Sequence, residues 1–270
     1  MLAGKKGVVL GVANKRSLAW GIAQACVRHG AQIALTYQGD RFKAAAQALL
    51  PKLGSPEGVD TPLFACDVTD RDQIDKLAAD VGAIWDKVDF VVHSIAFANP
   101  DELRGKFRDT TKVGFAQAMD VSCYSLIPVS RAFAPMMTDG GAILALSYLG
   151  GERVVPNYNV MGVAKAALDA TVRYLAYDLG PQGIRVNALA PGPVKTVSAA
   201  AIGDFGRMLA HVKSVAPLKR NVAAAEVGDV AAFYLSDLSR ALTGGHVPVD
   251  CGYSIMGAVT AAEPEAPNEA

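Results

Sequence analysis

A tyrosine and a lysine stand seven positions apart in the stretch Tyr158-Asn159-Val160-Met161-Gly162-Val163-Ala164-Lys165. Seven positions make two turns of an α-helix, so Tyr158 and Lys165 would point to nearly the same face, about 10 Å apart along its axis. A phenol and an ammonium placed in this way could meet around a bound molecule. The ammonium would favour phenolate character, and the phenol could donate a proton or a hydrogen bond. The alternative is that both are ordinary residues on a partly exposed helix.

The elements that must position this pair alternate between strand and helix along the chain. The apolar patterns predict strands at 7–12, 31–37, 62–66, 88–93, 142–147, 184–189 and 246–250. They predict helices at 18–29, 41–50, 70–81, 110–137 (one helix, or two with a break near 125–128), 157–179 and 226–236, with a less regular region at 194–219. This alternation predicts one α/β domain of the doubly wound Rossmann type, residues 1–258, with a seven-stranded parallel sheet and helices on both faces. Residues 259–270, rich in Ala, Pro and Glu, are expected to form a flexible tail.

Composition excludes several classes of protein. The 270 residues carry 26 basic and 26 acidic side chains, which argues against nucleic acid or an anionic membrane as a partner. The four cysteines lie far apart, the four histidines lack metal-ligand spacing, and no apolar run reaches the length of a membrane span. We therefore expect a cytoplasmic chain with free thiols and no metal site.

Ligands of such a sheet bind beyond the carboxyl ends of its strands, so the residues that follow each strand are the candidates. Gly11 ends the first strand and Ser17 is placed to cap the next helix, an arrangement suited to a pyrophosphate. Gln38 follows the second strand, where a neutral side chain suits the 2′-hydroxyl of NADH. Nearby Arg41 leaves room for some use of NADPH.

The later strand ends continue the pattern. Asp67 could hold an adenine amino group, or could simply cap the next helix, and His93 is expected to be a hydrogen-bonded core residue. Tyr148 could face the same cleft as Tyr158 or pack on its own loop. The backbone of Val194 and the hydroxyl of Thr196 could hold a nicotinamide carboxamide.

These residues together resemble the short-chain dehydrogenase/reductase superfamily. Three segments, Gly11–Ala23, His93–Ala96 and Ser147–Lys165, are similar more narrowly to the NADH-dependent enoyl-[acyl-carrier-protein] reductases. Ordinary superfamily members carry a serine thirteen residues before the tyrosine, where this chain has Ala145. The enoyl reductases have a second tyrosine instead, and Tyr148 takes that place.

The resemblance implies a function and a set of roles. The function is reduction of the carbon–carbon double bond of a trans-2-enoyl-[acyl-carrier-protein] by NADH, the last step of each elongation cycle of type II fatty acid synthesis, carried out by a homotetramer. Tyr158 would hydrogen-bond the thioester carbonyl as enolate charge develops there, with Tyr148 and Lys165 completing the catalytic set. The cofactor would contact Gly11, Ser17, Leu18, Gln38, Asp67, Val68, Ser94, Ile95, Ala96, Lys165, Val194 and Thr196. Ala98, Met161 and Phe205 would line the acyl pocket with Tyr148 and Tyr158, and residues 195–211 would form a mobile flap.

Two other functions compete with this one. A 3-oxoacyl or other carbonyl reductase would use the same scaffold, but Ala145 lacks the hydroxyl that such an enzyme needs. A non-catalytic nucleotide sensor is disfavoured because both Tyr158 and Lys165 are present.

Overall fold

A single parallel sheet of seven strands organises the chain. The computed structural model describes residues 1–54, 60–196 and 205–257. Its strands are β1 (Lys6–Leu10), β2 (Gln32–Tyr37), β3 (Leu63–Ala65), β4 (Phe90–His93), β5 (Gly141–Leu146), β6 (Ile184–Pro191) and β7 (His246–Val249). They lie side by side in the order β3-β2-β1-β4-β5-β6-β7, and every pair is parallel. The strand order reverses between β1 and β4, and a ligand of such a sheet binds at that switch point.

Helices cover both faces of the sheet. They are α1 (Leu18–Arg28), α2 (Asp40–Gln47), α3 (Arg71–Gly82), α4 (Lys112–Met119), α5 (Leu126–Phe133), α6 (Asn159–Leu179), α7 (Phe205–Val215) and α8 (Ala224–Leu235). Neighbouring strand residues point to opposite faces, so Val9 packs in the core that contains α1 and α8, and Val8 in the core that contains α3, α5 and α6. The predicted doubly wound α/β class is confirmed.

The helix predicted over 110–137 is broken earlier than expected. A π-helical turn at Asp120–Tyr124 separates α4 from α5, whereas the sequence placed the break near 125–128. Pro128 suggested a break at that place, but it lies in the first turn of α5. Backbone N–H groups of a first turn have no hydrogen-bond partner within the helix, so a proline there does not break it.

Two further boundaries differ from the predictions. Helix α6 begins at Asn159, so Tyr158 is its N-terminal flanking residue and not part of it. Asn157 has a left-handed φ of 62°, which interrupts helical backbone at the predicted start. Helix α7, which buries Val212 and Val215, occupies a region that was expected to be less regular. The rest of the predicted flap, 197–204, and the predicted tail, 259–270, lie outside the described residues.

No helix within the described ranges is long and apolar enough to cross a membrane.

Candidate active site

Lys165 is buried in the second turn of α6, with 4% of its surface exposed. Its Nζ donates a hydrogen bond to the carbonyl oxygen of Leu146, at the carboxyl end of β5, over 2.6 Å. Burial lowers the pKa of the ammonium to about 8, although the Asp169 carboxylate one turn further along α6 acts in the opposite direction. The interpretation of Lys165 as an ordinary residue of a partly exposed helix is therefore wrong.

Tyr148 and Tyr158 form an edge-to-face pair whose ring centroids are 4.9 Å apart. Tyr148 thus faces Tyr158, which excludes the alternative that it merely packs on its own loop; its hydroxyl donates to Met208 Sδ of α7 over 3.6 Å. Tyr158 itself stands between two asparagines with positive φ, Asn157 at 62° and Asn159 at 36°. Asparagine adopts this conformation more readily than most residues, so these neighbours fix the backbone that aims the ring.

The structure corrects one electrostatic expectation about Tyr158. Burial, and then the neighbouring Tyr148 and Asp169, raise the pKa of its phenol well above the ordinary value. Burial likewise raises the pKa of Tyr148 to about 12. The prediction that the lysine favours phenolate character is therefore wrong for this structure, and Tyr158 is a neutral phenol at physiological pH. A neutral phenol can donate a hydrogen bond, which a phenolate cannot do.

Glycines bring the Tyr148 loop onto α6. A Cβ at Gly150 would lie 2.5 Å from Cδ1 of Tyr158 and 3.1 Å from Cδ1 of Tyr148. A Cβ at Gly162 of α6 would lie 2.8 Å from the carbonyl oxygen of Gly150. Only glycine allows backbone and rings to approach this closely, and the two tyrosines meet as a result.

The predicted acyl-pocket residues are partly brought together. Ala98, Met161 and Tyr158 pack in one apolar cluster with Leu103, Ala118 and Val160. Ser122 of the π-helical turn, which sequence reasoning missed, accepts a hydrogen bond from Phe97 N and approaches Met161 Sδ at 3.6 Å. Phe205 does not join the described cluster; it is the first residue of α7, whose Met208 contacts Tyr148.

The predicted pyrophosphate turn meets the end of β4. Gly11 has a φ of 97°, and a Cβ there would lie 2.1 Å from the carbonyl oxygen of Ser94. Ser94 N donates to Leu10 O over 3.2 Å, which ties the ends of β1 and β4 together at the switch point. Ser17 caps α1 by accepting from Trp20 N, so Leu18 begins the helix whose free N–H groups face this turn. Beyond Ser94, Ile95 is half-buried and Ala96 is exposed.

Gln38 and Asp67, both predicted for the adenosine side, are directly bonded. Gln38 Nε2 donates to Asp67 Oδ2 over 2.9 Å, and Thr69 donates its N–H and its hydroxyl to Oδ1. Burial opposes ionisation of Asp67, but these hydrogen bonds leave its pKa below the ordinary value. Asp70, and not Asp67, caps α3, so the capping alternative for Asp67 is wrong. The adjoining Val68 is buried in the core.

The predicted nicotinamide residues border a cleft. Thr196 N donates to Val194 O over 2.7 Å in the segment that follows β6. Val194 and Lys195 line a cleft of about 440 Å³ together with Lys15 and Arg16 of the β1–α1 turn. The cleft therefore connects the turn predicted to hold the pyrophosphate with the segment predicted to hold the nicotinamide.

His93 fulfils the expectation of a core histidine. It is fully buried, and its Nε2 lies 2.8 Å from Ser125 Oγ. Burial, and then the charge of Lys165, lower the pKa of its imidazole to about 3, so it stays neutral.

Sequence reasoning missed two titratable residues behind the site, Asp169 and His246. His246 Nδ1 lies 3.1 Å from Asp169 Oδ2. The spacing of four between Lys165 and Asp169 was a readable signal, since such residues are neighbours on a helix face. Nothing in the sequence connects Lys165 or Asp169 to His246.

A doubly wound sheet with a tyrosine pair and a buried lysine at the carboxyl end of β5 defines a dinucleotide-dependent oxidoreductase. A family model described as enoyl-(acyl carrier protein) reductase matches residues 11–254. The enoyl-[acyl-carrier-protein] reductase [NADH] 1 of Rhizobium meliloti is 51% identical over 257 residues, which cover 95% of this chain and 93% of that protein. The Escherichia coli K12 enoyl-[acyl-carrier-protein] reductase [NADH] FabI is 47% identical over 255 residues, or 94% of this chain and 95% of that one.

Solved structures agree. The Bacillus cereus enoyl-acyl carrier protein reductase with NADP+ and indole naphthyridinone has a TM-score of 0.93 at 47% identity, covering 95% of this chain and 99% of that chain. The Anaplasma phagocytophilum reductase in complex with NAD has a TM-score of 0.91 at 45% identity, covering 98% and 97%. This chain belongs to the enoyl-(acyl carrier protein) reductase family, which confirms the family predicted from the residues.

Proposed function

We propose that this chain reduces the carbon–carbon double bond of trans-2-enoyl-[acyl-carrier-protein] with NADH, the last step of each cycle of fatty acid elongation. One observation carries the proposal beyond the family. Tyr148 and Tyr158 form an edge-to-face pair and Lys165 is buried at the carboxyl end of β5, while Ala145 occupies the place of the serine that carbonyl reductases use. The relatives' names, which include both NADH and the acyl carrier protein, agree with this reaction.

The residues present fit a dinucleotide. The Gly11 turn leaves no room for a side chain against Ser94, so backbone N–H groups and the start of α1 can approach a pyrophosphate. Gln38 and Asp67 form a neutral–anionic pair at the end of β2 and β3, which suits ribose and adenine hydroxyl and amino groups better than a 2′-phosphate. Nearby Arg41 stacks over the Phe42 ring, 4.5 Å from its centroid. This arrangement supports NADH as the main cofactor, with NADPH as a weaker second.

The chain's own groups then stabilise charge on the substrate. When bound, NADH supplies a hydride to the β-carbon of the enoyl thioester, and negative charge develops on the thioester oxygen. The neutral phenol of Tyr158 donates a hydrogen bond to that oxygen, and Tyr148 restricts the ring that carries it. A preorganised donor of this kind contributes about 3 kcal/mol, or roughly a hundredfold or more in rate. Lys165, fixed on the Leu146 carbonyl, adds positive charge to the site and would hold the ribose hydroxyls of the cofactor.

The acyl chain of the substrate would lie against the cluster that contains Ala98 and Met161. Phe205 and Met208 of α7 would close the pocket from the other side, since Met208 already contacts Tyr148. All four side chains are apolar, as a pocket for an acyl chain requires.

The decisive assay follows NADH absorbance with an enoyl thioester and, in parallel, with the 3-oxoacyl thioester of the same length. We expect oxidation with the first and a rate at least a hundredfold lower with the second. Tyr158→Phe should lower kcat roughly a hundredfold and keep NADH affinity, because it removes only the transition-state hydrogen bond. Lys165→Ala should weaken NADH binding. Faster turnover of the 3-oxoacyl thioester, or unchanged turnover in both variants, would reject the proposed reaction and roles.

We further infer that the chain forms a homotetramer. Val163, Tyr174 and Tyr177 of α6 lie on one face of the helix and are 36%, 75% and 82% exposed. The exposed Tyr124 and Ile127 lie next to this face, because the π-helical turn and α5 pack against α6. An exposed apolar face of this size on a helix supports contact with another copy, and size-exclusion chromatography with light scattering would test the tetramer.

The free cysteines, three of them buried, are in keeping with a cytoplasmic location.

A further inference from the structure

Behind the proposed catalytic lysine lies a charged cluster that the reaction itself does not use. Asp169 follows Lys165 by one turn of α6 and is 7% exposed. Its Oδ2 lies 3.1 Å from His246 Nδ1 of β7, and within the described part of the chain its buried Oδ1 has no hydrogen-bond partner. A carboxylate this deeply buried is costly unless positive charges compensate it.

The cluster is packed tightly against the loop that carries Tyr148. A Cβ at Gly151 would lie 3.0 Å from Asp169 Oδ2 and 3.0 Å from the carbonyl carbon of Lys165. Glu152, the next residue of that loop, places its Oε1 3.5 Å from His246 Nε2. His246 therefore stands between the helix that carries Lys165 and the loop that carries Tyr148.

We propose that Asp169 and His246 are positioning residues that act through Lys165. The Asp169 carboxylate keeps the ammonium charged inside an apolar core, and the protonation of His246 sets how much of that negative charge Lys165 experiences. The inference rests on the proposed role of Lys165 in the reductase.

The charges around both groups support this arrangement. Burial lowers the pKa of Lys165, and two groups oppose that effect, the Asp169 carboxylate on the same helix and the Cys123 thiol of the π-helical turn; His93 of β4 faces the same ammonium. Asp169 raises the pKa of His246 above its ordinary value, aided by Glu152 and opposed by burial and by Arg173 of α6. His246 therefore keeps its proton to higher pH than a free histidine, and its loss of that proton unmasks the negative charge of Asp169.

The sign of each substitution follows from these contacts. Asp169→Asn removes the charge that opposes desolvation, so Lys165 loses its proton at lower pH. Asp169→Glu keeps the charge and should restore the wild-type behaviour. His246→Lys places a cation beside Asp169 at pH values where His246 has lost its proton, so it should also lower the pH midpoint of Lys165, whereas His246→Gln should not lower it. Asp178→Asn, on the exposed face of α6, makes the same change of charge away from the cluster and is the matched control.

The test is a pH titration of the full chain without cofactor, followed by the 13C signal of the Lys165 ε-carbon. That signal is assigned by its loss in Lys165→Met. We expect a wild-type midpoint near pH 8, and a midpoint lower by about one pH unit or more in Asp169→Asn, the usual effect of losing an opposite charge at close range. The alkaline limb of the pH profile of kcat should shift by the same amount. Asp178→Asn should leave the Lys165 midpoint and this limb unchanged.

Two results would overturn the inference. The first is a Lys165 midpoint in Asp169→Asn that equals the wild-type midpoint. The second is a shift of the Lys165 midpoint in the same direction in His246→Lys and His246→Gln. Should Asp169→Asn fail to fold, the His246 pair, which retains the carboxylate, decides alone. The titration needs no turnover, so it would still test the charge cluster in a chain that lacked enoyl reductase activity.

Discussion

Gly150→Ala is the substitution that most directly tests how the site is built. Gly150 lies in the turn after Tyr148, and a Cβ there would lie 2.5 Å from Cδ1 of Tyr158 and 3.1 Å from Cδ1 of Tyr148. Cδ1 is close to the point where the ring joins the chain, so a rotation of the side chain cannot simply carry it away. Both aromatic rings must shift to admit one methyl group.

The required shift sets the expected loss of activity. Carbon atoms in contact prefer about 3.5 Å, so the Tyr158 ring must move by about 1 Å. A misplacement of this size costs about a hundredfold in rate when it affects a group that must meet a reacting atom. Overpacking also destabilises the fold by about 1–3 kcal/mol. We therefore expect kcat to fall roughly a hundredfold while the cofactor turn at Gly11 and the binding of NADH are unaffected.

Enoyl-dependent oxidation of NADH, NADH affinity and thermal unfolding would be measured on the same preparation. Gly180→Ala is the matched control: Gly180 ends α6 with a φ of −55°, and an added Cβ there would meet nothing within 4 Å. That variant should keep full activity. If Gly150→Ala turned over at the wild-type rate, the contact between the loop and Tyr158 would not be what positions the phenol.

Three further outcomes follow from single residues. Gly11→Ala sets a Cβ 2.1 Å from Ser94 O at a φ of 97°, so NADH affinity measured by fluorescence should fall at least roughly tenfold through loss of the pyrophosphate turn; wild-type affinity would contradict this. The pKa of His93 falls from 6.5 to about 3 on folding, so the unfolded chain binds the extra proton and stability is lost as pH falls from 6.5 towards 3. Urea unfolding should show a shallower acid dependence in His93→Gln, and an unchanged dependence would refute the assignment. A thiol reagent should modify Cys251 first in the native chain, with the three buried thiols reacting only after unfolding; Cys251→Ser should abolish the early phase.

The positions of the strands along the chain were predictable because parallel strands buried on both faces read as uninterrupted apolar runs. Segments such as Val88–His93 admit few other interpretations once helices separate them. Helix boundaries were less predictable where tertiary contacts decide them. Pro128 suggested a break that the structure places in the preceding π-helical turn, next to the hydrogen bond between Ser125 Oγ and Val121 O.

The candidate site was predictable to the extent that family patterns name its residues, and its electrostatics were not. The spacing of Tyr158 and Lys165 suggested a phenol made acidic by an ammonium. The structure instead joins Lys165 to the Leu146 carbonyl and Tyr158 to the Tyr148 ring, contacts between residues up to 19 positions apart. Burial, which no local pattern specifies, is the largest influence on both groups.

Burial has a favourable effect on Tyr158 and an unfavourable one on Lys165 in a reductase of this kind. Desolvation disfavours the charged form of any group, so it raises the pKa of Tyr158 and lowers that of Lys165. The first effect is useful without further help, because a neutral phenol is the form that donates a hydrogen bond to a developing enolate. The second is harmful, because a neutral amine would contribute no positive charge to the site. An apolar pocket that keeps Tyr158 neutral therefore needs a separate anion for Lys165, and Asp169, one turn along the same helix and compensated by His246 on its far side, is placed to supply it.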